Sequence, residues 1–510
     1  MGERRTIGQY LRAHARDQGD AEALVFEGES ISYALLDRRA SQVANGLRAM
    51  PIPTGSRVAY LGKNSAAYFE IWMGTIRAGM VMTPVNWRLA PPEIAYILAD
   101  CRPALLVVDP ELAARLDPVP SCPVLLTEAG SGGDLYADWR DSQSDADPHY
   151  DGGYDDVALQ LYTSGTTGHP KGAMLTNRSL LGLRDDVSQD ALPGWFVWSS
   201  RDVALVAMPI FHISGSGWGL WALQHGAKAV VVREFDPHRV LDLLVEHRIT
   251  KLMIVPTALR IMCDHPRAAQ TDFSFLETIC YGGSMIPLDL LQQAITIFGC
   301  GFAQMYGMTE TAGTIAGLAP EDHDVCGNDR MASIGRALPG VDIRILDADG
   351  HVLPAGEVGE VAIRSPSNMA GYFGRPDATA QTIDADGWLR TGDAARMDAD
   401  GYVYLADRIK DMIITGGENV YPAEVEKAII SHPLVADVAV IGVPDSKWGE
   451  AVKAIVVPTQ GAEPQPSEII AWARERIAAY KAPKSVDFQS DLPRNPSGKV
   501  LRRVLRDQYR

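Results

Sequence analysis

One segment in the first half of the chain concentrates residue types that bind anions. Residues 162–172 read YTSGTTGHPKG. The glycines let backbone N–H groups turn toward one point, the hydroxyls add donors, and Lys171 adds a full positive charge. The segment therefore predicts a polyphosphate cradle, but not a Walker A loop, because Pro170 takes the place of the second glycine. The alternative interpretation is a surface linker rich in Ser, Thr and Gly.

A second motif places a hydroxyl and a carboxylate side by side. Residues 304–310 read QMYGMTE, so Thr309 and Glu310 follow a glycine turn. This pair suits a phosphate group and its magnesium ion. The alternative is the first turn of a helix, where a negatively charged Glu is favourable.

Three further positions are weak signals when each is taken alone. The carboxylate of Asp393 follows a Thr-Gly turn, where it could accept two hydrogen bonds from a ribose diol or serve as an ordinary turn residue. Lys499 lies in the loop PRNPSGK, rich in Pro and Gly, where most lysines are merely solvated. His212, which follows Pro-Ile-Phe, is typical of a packed core histidine.

Two series of apolar runs, each alternating with amphipathic stretches, must position these residues. Continuous apolar strands between helices indicate parallel sheets covered on both faces, and so two α/β subdomains. The first series has strands at Ser56–Leu61, Met80–Val85 and Ala104–Asp109 and helices at Ala66–Ala78 and Pro91–Asp100. The second has strands at Val203–Met208, Ala229–Val232, Leu252–Val255 and Thr278–Tyr281 and helices at Val240–Arg248 and Leu288–Phe298. We expect the anion-binding segment to follow the strand Val157–Leu161 and to precede a helix over Thr176–Leu183.

The pattern changes after about Ser333. Runs at Val341–Leu346, Glu360–Arg364 and Tyr402–Leu405 are bounded by Asp-Gly turns and predict hairpins. The last ~100 residues form a compact α+β unit of a size usual for an independent domain. We place the domain boundary near Lys410. This unit is expected to hold strands at Val435–Val443 and Ala451–Val457 and a helix at Ser467–Tyr480.

Composition excludes several classes of protein. The 510 residues carry 47 Lys and Arg against 64 Asp and Glu, a formal net charge of −17, which disfavours nucleic acid as a partner. The 6 cysteines form no C-x-x-C pair, which argues against a thiolate zinc cluster and a disulfide scaffold and fits a reducing cytoplasm. The sequence contains no run of about 18 apolar residues, so we expect no transmembrane segment.

Taken together and in order, these motifs resemble the adenylate-forming superfamily, in its bacterial fatty-acyl-CoA ligase (acyl-CoA synthetase) type. The resemblance extends from the phosphate loop to Lys499 and includes GWLRTGD at 387–393, DRIKD at 407–411 and GGENVYP at 416–422. It implies an α/β fold with a large N-terminal domain of two α/β subdomains plus a small β-barrel, and a mobile α+β C-terminal domain. These domains would span residues 1–409 and 410–510, with a hinge at Lys410.

The resemblance also implies an activity. Members of this superfamily use ATP to convert a carboxylic acid into an acyl-AMP with release of pyrophosphate, and then let a thiol displace AMP. The implied cofactors and partners are ATP, Mg²⁺, CoA and a small carboxylic acid, with a homodimer left open. Rotation about the hinge would withdraw Lys499 and bring the loop at Gly416 and Gly417 to the site, opening a channel for CoA.

Each candidate site residue takes a role from the same resemblance. The β- and γ-phosphates would be bound by the loop residues Thr163, Ser164, Gly165, Thr166, Thr167 and Lys171. The adenine would be flanked by Gly282, Gly283, Ser284 and Tyr306, and the ribose would be bound by Asp393 and Arg408. The catalytic set is Thr309 at the α-phosphate, Glu310 at Mg²⁺, His212 at the acyl pocket and Lys499 between the attacking carboxylate and the α-phosphate.

The identity of the acid is open at this point. The motif at 416–422 is typical of fatty-acyl-CoA ligases and also of some benzoate-type ligases. Trp218 and Met305 would shorten a straight acyl channel, while Gly215, Gly217 and Gly219 would leave room beside them, which is compatible with a medium-chain or bulky acid; alternatively, Trp218 faces the core. The expected substrate is a medium- or long-chain fatty acid. The alternatives are an aromatic acid, loading of a carrier protein, a luciferase-like activity, and a catalytically inactive nucleotide-binding regulator. Ser284 departs from the Ala that many relatives carry.

Overall fold

The structure is a computed structural model that describes residues 4–128, 134–150, 152–163, 170–185, 187–408, 411–415, 418–445, 448–477, 479–494 and 500–509. Its chain forms two compact units. The first unit comprises Met1–Asp342 and Arg364–Leu389, and the second comprises Ile343–Ile363 and Arg390–Arg510. The boundary expected near Lys410 is a different division of the chain, and it stays a prediction.

The strands, numbered in chain order, are as follows. They are β1 Glu22–Phe26, β2 Glu29–Ser32, β3 Arg57–Leu61, β4 Val81–Pro84, β5 Leu105–Val108, β6 Val124–Leu126, β7 Asp134–Leu135, β8 Val157–Thr163, β9 Lys171–Thr176, β10 Val203–Val206, β11 Lys228–Val231, β12 Lys251–Ile254, β13 Thr278–Gly282, β14 Gly301–Met308, β15 Gly313–Leu318, β16 Arg336–Ala337, β17 Asp342–Leu346, β18 Val358–Arg364, β19 Gly371–Tyr372, β20 Leu389–Met397, β21 Val403–Arg408, β22 Ile413–Thr415, β23 Glu418–Val420, β24 Val435–Asp445, β25 Gly449–Pro458 and β26 Ser485–Phe488.

The α-helices are numbered in the same way. They are α1 Ile7–Asp17, α2 Tyr33–Ala49, α3 Ala66–Arg77, α4 Pro91–Cys101, α5 Pro110–Ala113, α6 Tyr136–Asp141, α7 Asn177–Asp185, α8 Ile213–Gln224, α9 Pro237–Glu246, α10 Pro256–Cys263, α11 Leu288–Phe298, α12 Pro376–Thr382, α13 Pro422–Ile430, α14 Pro466–Arg474 and α15 Arg502–Gln508. Among these described helices, none combines the length and the apolar character needed to cross a bilayer.

An eight-stranded sheet forms the first α/β subdomain. Its order is β19-β9-β8-β4-β3-β5-β6-β7, and strands β8 to β7 along this order are parallel. Antiparallel β9 and β19 close one edge. Helices such as α3, buried on nearly every side, cover this sheet. The expected alternation of buried strands and helices is therefore confirmed.

A nine-stranded sheet forms the second subdomain, in the order β16-β15-β14-β13-β12-β10-β11-β1-β2. Its central strands, from β14 to β1 along this order, are parallel. The hairpin β1–β2 from the amino-terminal part of the chain joins this sheet, with Leu24 opposite Ala229. The sequence did not reveal that pairing, because the two strands are far apart along the chain.

Two smaller sheets belong to the second unit. The region expected as a small barrel is a curled four-stranded sheet, ordered β17-β18-β20-β21. The C-terminal sheet is ordered β23-β22-β25-β24, with β26 parallel to β25. Its helix α14 ends six residues before the expected Tyr480, where the N–H groups of Arg476 and Ile477 share the Ala473 carbonyl and tighten the last turn. The α/β fold class is confirmed.

Candidate active site

The anion-binding segment is the loop of a β-hairpin. Thr163 ends β8, Lys171 begins β9, and the two residues are direct cross-strand partners. The helix expected at Thr176–Leu183 is confirmed as α7, which begins at Asn177, and the strand β9, which was not expected, lies between the segment and this helix. The loop residues Ser164, Gly165, Thr166 and Thr167 lie outside the described residues.

Thr309 and Glu310 lie in a single 3-10 turn between two antiparallel strands, β14 and β15. Glu310 thus lies in the first turn of a helix, as the alternative had it, but this 3-10 helix is three residues long. Gly307 is required here, because a Cβ atom at this position would overlap the carbonyl oxygen of Gly313 across the hairpin. The Oγ1 atom of Thr311 accepts the Met308 N–H at 3.0 Å and fixes the start of the turn.

The two subdomains meet at the carboxylate of Glu310. Its Oε1 atom accepts a hydrogen bond from Thr163 Oγ1 at 3.3 Å and another from Tyr372 Oη at 2.8 Å. Glu310 is only 6% exposed. The hairpin of the eight-stranded sheet and the turn of the nine-stranded sheet thus share one buried acid, and Lys171 lies opposite Thr163 on that hairpin. Their common role in binding ATP stays a prediction.

Tyr372 is the residue of this site that the sequence did not reveal. It lies in the two-residue strand β19, opposite Ala173 of β9. Besides its hydrogen bond to Glu310, its ring lies 4.7 Å from the Nζ atom of Lys171, measured to the ring centroid. A single Gly-Tyr pair carries no sequence signal of chemistry, so only the pairing of β19 with β9 could identify it.

The residues around Glu310 fit a magnesium ion. Both hydrogen bonds to the carboxylate come from neutral hydroxyl groups, and within the described ranges no Lys, Arg or His nitrogen lies within 4.0 Å of it. A buried carboxylate without a counter-charge is unfavourable. Carboxylate oxygens are ligands that Mg²⁺ prefers, so a divalent cation would supply the missing charge.

The candidate adenine residues lie at the carboxyl end of a parallel strand. β13 ends at Gly282, opposite Met305 of β14, and a Cβ atom at Gly282 would overlap the Met305 carbonyl oxygen. Gly283 and Ser284 continue as an exposed segment, and Tyr306 follows Met305 on the neighbouring strand. This loop has the position at which open α/β sheets bind ligands.

His212 precedes helix α8, and its side chain is half-buried. Its Nε2 atom is buried and finds no hydrogen-bond partner among the residues that the structure describes. Burial, and then the positive charge of Arg88, lower the pKa of His212 to about 4, so the ring is neutral at physiological pH. The next residue, Ile213, lies against Gly313 at the end of the Glu310 turn. The structure therefore places His212 on the element that packs beside the turn, and its unpartnered nitrogen could meet a substrate atom.

The proposed acyl region has less room than the sequence suggested. A Cβ atom at Gly219 would overlap the Phe69 ring, and one at Gly215 would overlap the Met208 and Pro209 carbonyl oxygens. These two glycines allow close packing and leave no space. Trp218 is 4% exposed and packs against Trp198 with ring centroids 4.8 Å apart. The other members of this aromatic cluster are Trp195, Phe196 and Trp221.

The remaining candidates belong to the second unit. Asp393 is 8% exposed, its N–H donates to Thr391 Oγ1 at 3.1 Å, and its cross-strand partner is Arg408 on β21. The Gly392 N–H donates to Glu360 Oε1 at 3.1 Å, which fixes the turn before Asp393. The structure thus pairs the two residues assigned to the ribose. Lys499, Gly416 and Gly417 lie outside the described residues.

Comparison with known proteins identifies the class. Residues 11–373 match the AMP-binding enzyme family, and residues 424–499 match the AMP-binding enzyme C-terminal domain. The chain belongs to this family of adenylate-forming enzymes. It is an AMP-forming acid–thiol ligase of the acyl-CoA synthetase type.

Individual relatives cover almost the whole chain. The fatty acid–[acyl-carrier-protein] ligase ScoC of Streptomyces coeruleorubidus is 41% identical over 99% of this chain and 96% of its own. A feruloyl-CoA synthase of Amycolatopsis sp is 40% identical over 99% of each chain. The crystal structure of ATP-bound MatB from Rhodopseudomonas palustris superposes with a TM-score of 0.87 at 34% identity, covering 98% of this chain and 99% of MatB. ATP is therefore the nucleotide that this enzyme family binds.

Proposed function

We propose that this enzyme uses ATP to activate a carboxylic acid as an acyl-AMP, releasing pyrophosphate, and then transfers the acyl group to the thiol of CoA. The observation that carries the proposal is the convergence of Thr163, Lys171 and Tyr372 on the buried carboxylate of Glu310. An ammonium group, hydroxyl donors and a carboxylate without a paired cation together suit a magnesium-bound polyphosphate. The lack of C-x-x-C pairs supports a cytoplasmic location.

The first unit supplies the phosphate chemistry. We assign Thr163 and Lys171 to the β- and γ-phosphates, Thr309 to the α-phosphate, and Glu310 to Mg²⁺. When bound, the ion neutralises phosphate charge and orients the leaving pyrophosphate. Lys171 contributes a positive charge that is in place before ATP binds, because the hairpin holds Lys171 across from Thr163.

The second unit supplies the remaining roles. We assign Asp393 and Arg408 to the ribose hydroxyls and Lys499 to the charge that develops between the attacking carboxylate and the α-phosphate. In the second step, the loop at Gly416 and Gly417 would replace Lys499 by rotation of the mobile domain 410–510 about Lys410. These assignments rest on the motifs of the sequence.

The elements that continue from the Glu310 turn limit the length of the substrate acid. Helix α8 meets β15 at Gly313, and Trp195 packs on the same strand at Gly317. Four residues of a strand span about 13 Å, so the aromatic cluster lies about that far along β15 from the reacting end. We infer a medium-chain fatty acid as the substrate, because a longer straight chain in this direction would meet the buried Trp198 and Trp218.

A flat aromatic acid is the second candidate. The aromatic cluster supports it, because indole and phenyl rings stack well against another ring. The feruloyl-CoA synthase relative, 40% identical, supports it as well. For the acceptor, the relative ScoC acts with an acyl carrier protein, so a carrier-protein thiol is the alternative to CoA.

One assay tests all of these choices. Pyrophosphate release would be measured with ATP and a panel of acids, consisting of linear acids of increasing chain length and hydroxycinnamic acids, with and without CoA or a phosphopantetheinylated carrier protein. We expect acid-dependent release, with AMP and acyl-CoA as products. The variant Glu310→Gln should fail under the same conditions. No release with any acid would contradict the proposal and favour a nucleotide-binding regulator.

A further inference from the structure

Tyr372 is fixed more firmly than a two-residue strand would suggest. The N–H groups of Ala370 and Phe373, on either side of the strand, donate to the carbonyl oxygens of Met174 and Gly172 on β9 at 2.9 and 2.8 Å. The N–H of Tyr372 itself donates to Thr379 Oγ1 at 2.9 Å. Tyr372 is 7% exposed. Its side chain is therefore held in place by the same hairpin that carries the phosphate loop.

The hydroxyl of Tyr372 donates a hydrogen bond to Glu310 at 2.8 Å. This bond ends on Oε1, the atom that also accepts from Thr163. Two donors on one oxygen restrict the rotation of the carboxylate, and Oε2 would be the oxygen left for a cation.

The ring of Tyr372 has a separate effect on Lys171. The Nζ atom lies 4.7 Å from the ring centroid, within the range of a cation–π contact. In the described residues, Lys171 and Glu310 form no ion pair with one another, although both contact Tyr372. The ring thus holds the ammonium group in the site without letting the carboxylate neutralise it.

We propose that Tyr372 is a positioning residue for the adenylation step. It orients the Glu310 carboxylate toward Mg²⁺ through its hydroxyl, and it keeps Lys171 available to phosphate through its ring. This inference rests on the proposed function, because it takes Glu310 and Lys171 as the groups that meet the magnesium–ATP complex.

Two variants separate the two effects. Tyr372→Phe removes the hydroxyl and retains the ring, while Tyr372→Leu removes both. Tyr136→Phe is the matched control, because Tyr136 is also a buried tyrosine of the first unit whose hydroxyl donates to a buried carboxylate, that of Glu70, at 3.1 Å. Its partner Glu70 is already paired with Arg39 and Arg140, so it has no role in metal binding.

The test is calorimetric titration of ATP at a series of Mg²⁺ concentrations, which requires no turnover. We expect Tyr372→Phe to raise the Mg²⁺ concentration for half-maximal ATP binding about tenfold, with little change at saturating Mg²⁺. Tyr372→Leu should weaken ATP binding even at saturating Mg²⁺, since Lys171 can then pair with Glu310. Tyr136→Phe should bind as the wild type does.

The outcomes distinguish this inference from the proposed function. If Tyr372→Phe keeps the wild-type Mg²⁺ dependence while Glu310→Gln loses it, the positioning role is wrong and the proposed function stands. If the wild type binds magnesium–ATP with the expected dependence on Tyr372 but no acid supports turnover, the positioning role stands and the proposed function is wrong. A wild type that binds no magnesium–ATP overturns both.

Discussion

At the scale of single residues, the candidate site is defined by charge. Glu310 is buried among neutral donors, and Lys171 is held close to it by an aromatic ring and forms no ion pair with it. A buried charge without a counter-charge destabilises the unliganded protein, and a ligand of complementary charge removes this penalty when it binds. A magnesium–triphosphate complex offers a cation to Glu310 and negatively charged oxygens to Lys171.

Lys171→Met tests the cationic half of this arrangement. The variant keeps the length of the side chain and removes its charge, so we expect kcat/KM for acid-dependent pyrophosphate release to fall by about 10²-fold or more, or roughly 3 kcal/mol. Steady-state kinetics measure this loss. Lys228→Met is the control, because Lys228 of the same unit pairs with the surface residue Glu22 and has no role in the proposed site. Equal activity of both variants would contradict the role of Lys171.

The imidazole of His212 predicts a pH dependence of stability. Its pKa is about 4 in the folded protein and near 6.5 when unfolded, so between these values the unfolded state binds more protons. Stability therefore falls as the pH drops from about 6.5 to about 4. We expect His212→Gln to lose about 2 to 4 kcal/mol less over this window than the wild type. Urea denaturation at pH 7 and pH 4.5 measures the difference.

The control for this pH effect is His149→Gln. The His149 side chain is 88% exposed, so its replacement should leave the pH dependence of unfolding unchanged. If His212→Gln showed the full acid destabilisation of the wild type, another histidine, such as His225, would be responsible.

At the scale of secondary-structure elements, the site depends on two hairpins. One joins β8 to β9 and carries the segment that we assign to phosphate, and the other joins β14 to β15 and carries Glu310. Helices of both subdomains serve mainly as cover for the sheets. Precise approach of the two strands in each hairpin therefore matters more to the site than helix stability does.

Gly307→Ala tests the second hairpin. The added methyl group would overlap the Gly313 carbonyl oxygen, so the strands must separate at the Glu310 turn. We expect a stability loss of about 1 to 3 kcal/mol and a greater loss of adenylation activity. Gly194→Ala should be tolerated, because no atom lies within 4 Å of the added Cβ. Thermal unfolding and pyrophosphate release measure the two effects, and an active Gly307→Ala enzyme would contradict this reading.

The same elements show how far the sequence alone could lead. Buried parallel strands such as β5 and helices such as α11 were predicted within a residue or two, because their apolar patterns are local. The hairpin strand β9 was missed, because its first residues, Lys171 and Gly172, belong to the anion-binding motif and its pairing with β8 closes across that motif. Tyr372 was missed because its role arises from pairing across the chain, which no local pattern records.

At the scale of the whole molecule, the motifs divide between two units. The residues that we assign to phosphate and magnesium belong to the first unit, and Asp393, Arg408 and Lys499 belong to the second. An enzyme with two half-reactions can use such a division if each half-reaction needs a different set of residues. We assign Lys499 to the first step, formation of acyl-AMP, and the loop at Gly416 and Gly417 to the second step, transfer to the thiol.

Lys499→Ala separates these half-reactions. We expect acyl-AMP formation from ATP and acid to fall by at least 10²-fold, since one charge-stabilising donor is worth about 3 kcal/mol, while thioester formation from supplied acyl-AMP persists. Single-turnover assays of each step measure this. Lys484→Ala, at an exposed position of the C-terminal part, should affect neither step. An equal loss in both steps would contradict the use of Lys499 in one step only.

The hairpin β1–β2 has a consequence for the synthesis of this protein. Its partner strand β11 is translated roughly 200 residues later, which at about 5–20 residues per second means a delay on the order of 10–40 s. During this interval Leu24 and Val25, which are buried in the finished sheet, can pair with β2 but lack β11 on their other side. The nine-stranded sheet therefore cannot assemble in the order in which it leaves the ribosome. Its amino-terminal strand is the segment of the nascent chain for which protection by a chaperone matters first.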